Sequence, residues 1–123
     1  MRSTKRKSIE NEHCVAFMAR IKQYHPEIAD LIFHIPNESR VTQDTRIGIS
    51  AGMPDYCLPI PKGEFGALYI EMKKPDLKNT KSGGLSPEQV KRIASLSLYY
   101  KVDVCYSWEE ALKSVLDYME KIY

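Results

Sequence analysis

A chain of 123 residues, 43% of them hydrophobic and 28% charged, fits one compact domain around a single core. No apolar run approaches the ~20 residues of a membrane span, and three well-separated cysteines, Cys14, Cys57 and Cys105, read as small buried hydrophobes rather than a disulfide or zinc framework. The net charge of +2 is too small to identify a nucleic-acid partner, although Lys73, Lys74, Lys78 and Lys81 fall close together. The basic start (Arg2, Lys5, Arg6, Lys7) is followed by no signal-type apolar stretch, so a cytoplasmic setting and no membrane partner are expected.

Residues 1–7 read as a basic flexible arm and 8–123 as a single domain. From Ser8 an amphipathic helix is expected, because Glu10, Cys14, Phe17, Met18 and Ile21 recur at helical spacing on one stripe. His25-Pro26 interrupts it. A short helical turn precedes a strand over 31–35, which ends at Pro36-Asn37. The polar stretch 38–53, with Gly48 and Gly52, reads as an exposed loop. Two strands follow, 55–60 and 67–73, joined by Pro61-Lys62-Gly63-Glu64-Phe65-Gly66 as a hairpin. Residues 75–84 form a second, lysine-bearing loop.

Ser86-Pro87-Glu88-Gln89 then opens a helix, with Ser86 at the N-cap, Pro87 at N1 and Gln89 at N3 of a capping box. Leu85 and Val90 are placed to form a hydrophobic staple around it. The helix runs to about 100, a strand covers 102–106, and a last helix starts near Trp108. Strand, helix, strand in that order implies a right-handed parallel crossover. The fold class is therefore α/β, a small mixed sheet flanked by helices.

Chemistry concentrates on the strand Ala67-Leu68-Tyr69-Ile70-Glu71-Met72-Lys73. Period-two alternation sends Leu68, Ile70 and Met72 to one face and Tyr69, Glu71 and Lys73 to the other. A carboxylate and an ammonium on one face suit metal-assisted phosphodiester hydrolysis: the carboxylate ligates a hard cation and the lysine acts on the attacking water. Gly52-Met53-Pro54-Asp55 supplies a second carboxylate, which a hairpin can bring beside Glu71. Taken alone, Glu71 and Lys73 would read as an ordinary ion pair and Asp55 as a polar strand start. The Pro-Asp on the neighbouring strand separates the two readings.

Asp55, Glu71 and Lys73 match a Pro-Asp…(Asp/Glu)-x-Lys nuclease signature. With Leu85-Ser86-Pro87-Glu88-Gln89, His34-Ile35-Pro36-Asn37 and the segment from Tyr99 to Tyr106, the chain resembles the VRR-NUC (virus-type replication-repair nuclease) family from about Ser8 to Tyr118. The last two of these segments look like the family's stand-alone phage and bacterial members. The resemblance implies a restriction-endonuclease-like fold, dependence on Mg²⁺ or Mn²⁺, and cleavage of branched DNA by a homodimer that acts like a Holliday-junction resolvase. Asp55, Glu71 and the Met72 backbone carbonyl are the expected metal ligands, with Lys73 assisting the nucleophile. A monomeric flap or nicking nuclease and a non-catalytic DNA-binding module are the alternatives.

The family also places an acid on its first helix, and Glu10 and Glu12 compete for it. Glu10 shares the inward stripe and is preferred; the family's usual glutamine one turn later is replaced by Cys14. Gln89 has two readings, capping box or active-site contact, each expected to exclude the other, and the site is preferred. Asn37, Lys74, Lys78 and Lys81 are candidate DNA contacts, Asn37 equally a turn former. His13, His25 and His34 show no ligand spacing and read as structural, and Tyr99 and Tyr100 as packing residues.

Overall fold

The computed structural model describes residues 2–36 and 51–120, the first seven of these by backbone alone. Helix α1 (Arg2–Tyr24) begins six residues before the expected start at Ser8. Arginine and lysine are good helix formers, and no glycine or proline interrupts the segment, so the basic stretch continues the helix rather than forming an arm. Pro26 then starts the one-turn α2 (Pro26–Ala29), where its missing N–H is no loss.

Four strands follow: β1 (Phe33–His34), β2 (Tyr56–Leu58), β3 (Leu68–Met72) and β4 (Lys101–Cys105). They lie in the order β1-β2-β3-β4. β1 and β2, and β2 and β3, pair antiparallel, whereas β3 and β4 are parallel. The expected hairpin is present, with Tyr56 opposite Ile70 and Leu58 opposite Leu68. Between β3 and β4 the chain makes a 3-10 turn (Pro75–Leu77) and helix α3 (Pro87–Leu96), and α4 (Trp108–Glu120) closes the described residues. The first strand is shorter than expected, two residues instead of five.

The core forms where α1 and α4 cover one face of the sheet. Phe17, Ile21, Leu58, Leu68, Ile70, Met72, Ala111 and Val115 are all essentially inaccessible. Each large apolar side chain so buried contributes about 1.5–3 kcal/mol. Arg20 stacks over the Trp108 ring at 3.9 Å, and Trp108 N–H donates to His13 Nδ1 at 3.0 Å. His13 thus satisfies a backbone donor at the start of α4, binding α1 to it. Among the described residues no helix is long and apolar enough to cross a membrane. Cys57 and Cys105 are buried and Cys14 half-buried, all as free thiols.

Candidate active site

Strand alternation does what the sequence pattern indicated. Ile70 and Met72 enter the core, and Glu71 and Lys73 project to the opposite face. Glu71 is 3% exposed, a burial that a carboxylate tolerates only with partners. Gln89 Nε2, on α3, donates to Glu71 Oε2 at 3.3 Å, and Lys73 Nζ lies 3.6 Å from the same oxygen.

Asp55 arrives from the chain entering β2. Its N–H donates to the Ile70 carbonyl at 2.9 Å and its own carbonyl accepts from Ile35 N–H at 2.7 Å, so the chain on both sides fixes its backbone. Its Oδ2 accepts from Met72 N–H at 2.7 Å, which draws the side chain across to β3 beside Glu71. Lys73 N–H bonds the Cys105 carbonyl on the other side of the strand. By strand alternation the Met72 carbonyl therefore shares the Asp55 side, where the third ligand is expected.

Burial raises the pKa of both carboxyls above the ordinary range, and their mutual proximity adds to the shift of Glu71. Lys73 opposes the shift in both. Two neighbouring buried acids that resist ionising together form a centre that a hard cation would relieve. Among the described residues no three His, Cys, Asp or Glu side chains gather as a metal cage. Two carboxyl groups nevertheless fit Mg²⁺, which keeps much of its shell as water and substrate phosphate oxygens.

Glu10 stands at the margin of this pair. Burial raises its pKa, while Lys73 lowers it and Asp55 raises it, so its carboxyl lies within electrostatic reach of this pair from α1. Glu12 is exposed. One turn after Glu10, Cys14 hydrogen-bonds Tyr56, and burial pushes its thiol up to about 11, which keeps it neutral. His34 contacts the Tyr56 ring edge-on at 5.3 Å, and its charge lowers the pKa of Asp55. Spacing alone identified neither Cys14 nor His34. The signals available were the position of Cys14 one turn from Glu10 and that of His34 on the strand beside Asp55.

Gln89 overturns the expectation that its two roles exclude each other. Ser86 Oγ accepts from Gln89 N–H and Ser86 N–H donates to Gln89 Oε1, completing the capping box. The same amide reaches Glu71 through Nε2 and Lys73 through Oε1. A carboxamide has enough donors and acceptors for all of these bonds.

The candidate DNA contacts separate. Lys74 is buried and paired with Asp76 at 3.0 Å, which removes it from the exposed surface expected of it. Its burial follows from its position: it leaves β3 on the strand's inward-facing alternation. Lys78 is exposed and paired with Glu110 at 2.5 Å, and Lys81 is exposed. Asn37 and most of the 38–53 loop lie outside the described residues. Tyr100 packs edge-on against Tyr69, as expected, whereas Tyr99 is 67% exposed.

The comparisons bear on the fold and the family. A solved structure described as a "VRR_NUC domain protein" superposes with a TM-score of 0.77 and 26% identity, over 91% of this chain and 88% of that one. No family model matches the sequence, and no curated protein does.

Proposed function

We propose that this chain, whose fold matches that of a VRR_NUC domain protein, is a Mg²⁺-dependent endodeoxyribonuclease of that family acting on branched DNA. The observation that carries the reading is the pairing of two buried carboxyls, Asp55 and Glu71, with Lys73 held against one of them. Burying two acids together is costly without a cation, and a purely structural sheet would do better with apolar residues there.

In this reading Asp55 and Glu71 hold the cation, together with the Met72 carbonyl. When bound, the cation supplies polarisation of the scissile phosphate and of an attacking water. Glu10 adds negative charge at the rim. Lys73, kept in place by Gln89, donates toward the nucleophile and the charge that develops on phosphorus oxygens. Mn²⁺ would replace Mg²⁺, because the donors are hard oxygens. Lys78 and Lys81 would meet backbone phosphates, Lys78 exchanging Glu110 for the ligand. Such contacts carry no base information, so sequence preference should be weak.

A four-way junction is the proposed preferred substrate and a symmetric homodimer the proposed active species. Resolving a junction takes two related cuts, and the described residues of each chain hold one such acidic centre; two-fold association places two of them symmetrically. The test is to incubate the purified protein with sequence-matched linear, flap, three-way and four-way DNA, with and without Mg²⁺, while its mass is followed by light scattering. Paired, symmetric cuts by a dimer on four-way DNA are expected. Unpaired nicks by a strict monomer would remove the resolvase assignment and leave a flap or nicking nuclease. Binding without cleavage of any DNA would point to the non-catalytic module.

A further inference from the structure

Ser86 opens α3, and both its backbone N–H and its hydroxyl oxygen are bonded to Gln89. Oγ accepts from Gln89 N–H at 3.1 Å, and Ser86 N–H donates to Gln89 Oε1 at 2.9 Å. In an ordinary capping box that reciprocal pair is complete, since it satisfies two donors at the helix start. Here the amide extends further: Oε1 also accepts from Lys73 Nζ at 3.1 Å, and Nε2 donates to Glu71 Oε2 at 3.3 Å.

The bond from Ser86 N–H decides which way the amide faces. A carboxamide oxygen only accepts and its nitrogen only donates. Turned over, Nε2 would confront two donors, Ser86 N–H and Lys73 Nζ, and Oε1 would confront the Glu71 carboxyl oxygen. The cap therefore selects the one orientation that offers an acceptor to the lysine and a donor to the glutamate. Gly52 packs against this same turn so closely that an added Cβ would come 2.5 Å from the Glu88 carbonyl oxygen. The entry to Asp55 thus rests on the turn that holds Gln89.

We infer that Ser86 is a positioning residue for the proposed hydrolysis: through the cap it orients Gln89, and through Gln89 it sets how Lys73 and Glu71 stand to one another. The inference rests on reading this centre as a nuclease site. Ser86 touches neither the acids nor the lysine; it acts through the amide.

The experiment compares full-length variants at a temperature where all are folded. Ser86→Ala keeps the backbone N–H but removes the Oγ bond that closes the turn on Gln89. The Oε1 bond then loses its fixed geometry, and the single-turnover rate on four-way DNA at saturating Mg²⁺ should fall about tenfold, the scale of losing an outer-shell orienting contact. Ser86→Thr keeps a hydroxyl cap and should restore the rate. Ser107→Ala is the control for capping alone, since Ser107 Oγ accepts from Glu110 N–H at 3.1 Å at the start of α4. It should lower the melting temperature as Ser86→Ala does and leave the rate unchanged. In a Gln89→Ala background, Ser86→Ala should cause no further loss.

A readout independent of cleavage is the Gln89 side-chain amide pair in the NMR spectrum of the cation-free protein. It should be dispersed in wild type and Ser86→Thr, and move toward a free glutamine amide in Ser86→Ala. A full rate in Ser86→Ala, an equal loss in the Gln89→Ala background, or an unmoved Gln89 amide would overturn the inference. A wild type that cuts no DNA while its Gln89 amide responds as expected would instead overturn the nuclease reading, and leave the hold of Ser86 on Gln89 standing.

Discussion

Each acid in the centre has a different environment, and the differences predict different phenotypes. Asp55 is tied to the Met72 N–H, whereas Glu71 is tied to the Gln89 amide and Lys73. Replacing either acid by its amide keeps the shape and removes a ligand charge. Asp55→Asn and Glu71→Gln should each cut the cleavage rate by on the order of 10²–10³, the scale of losing one preorganised electrostatic group. Circular dichroism should find both folded. Lys73→Ala should lower the saturated single-turnover rate by about 10²-fold, with calorimetry showing cation binding retained. A collapse of cation affinity with an unchanged saturated rate would contradict the role given to that lysine. The three raised carboxyl pKa values also fix a pH dependence. Folded Glu10, Asp55 and Glu71 keep protons that the unfolded chain releases at ordinary carboxylate pH. Their contribution to the stability of the cation-free protein therefore falls as pH rises from that range through neutral. A cation displaces those protons, so its affinity and its stabilising effect should grow with pH. Melting curves at about pH 6 and about pH 8, with and without Mg²⁺, should show the larger Mg²⁺ shift at the higher pH. Glu71→Gln should shrink that difference.

The elements place these residues by ordinary means, and most of those means are visible in the sequence. Alternation on β3 and the helical stripe of α1 bring Glu71, Lys73 and Glu10 to one centre, because a period of two or of 3.6 is a local property. The hairpin brings Asp55 across, through turn residues that are equally local. Less legible were contacts that depend on one side chain meeting two elements. Gln89 was read as cap or site, and in the structure the capping amide also bonds Glu71 and Lys73. Lys74 was read as a candidate DNA contact, and the chain buries it against Asp76 because β3 alternation continues two residues past the strand. The seat of Gly52 on α3 belongs to the same class, since no local rule indicates which helix the residue before Met53-Pro54-Asp55 will touch. Gly52 has φ +79°, and an added Cβ would meet the Glu88 backbone. Gly52→Ala should cost about 1–3 kcal/mol for the backbone conformation alone. By forcing β2 away from α3 it should also lower the cleavage rate. Denaturant melts and single-turnover rates on one preparation test both effects, and a stable, fully active Gly52→Ala would show that the close approach does not matter.

At the scale of the molecule, the sheet is an asymmetric support. One face is filled by α1 and α4 and carries the core, while Glu71 and Lys73 leave β3 on the other, where α3 meets them with Gln89. The core and the β3 side chains of the site thereby lie on opposite faces of one sheet, and Glu10 comes toward the acids from α1. Phe17→Ala, on the core side of α1, should cost about 3–5 kcal/mol by leaving a cavity. It should also loosen Glu10, which rides on the same helix. The whole account turns on whether the Asp55–Glu71 centre cuts DNA through a divalent cation. The most direct measurement is the single-turnover cleavage rate of wild type and Asp55→Asn on one labelled four-way DNA, in Mg²⁺ and in excess chelator. The account predicts cleavage by wild type in Mg²⁺, abolished by chelator and restored by added cation, and slowed on the order of 10²–10³ in Asp55→Asn. Undiminished cleavage in chelator, or a wild-type rate in Asp55→Asn, would contradict it.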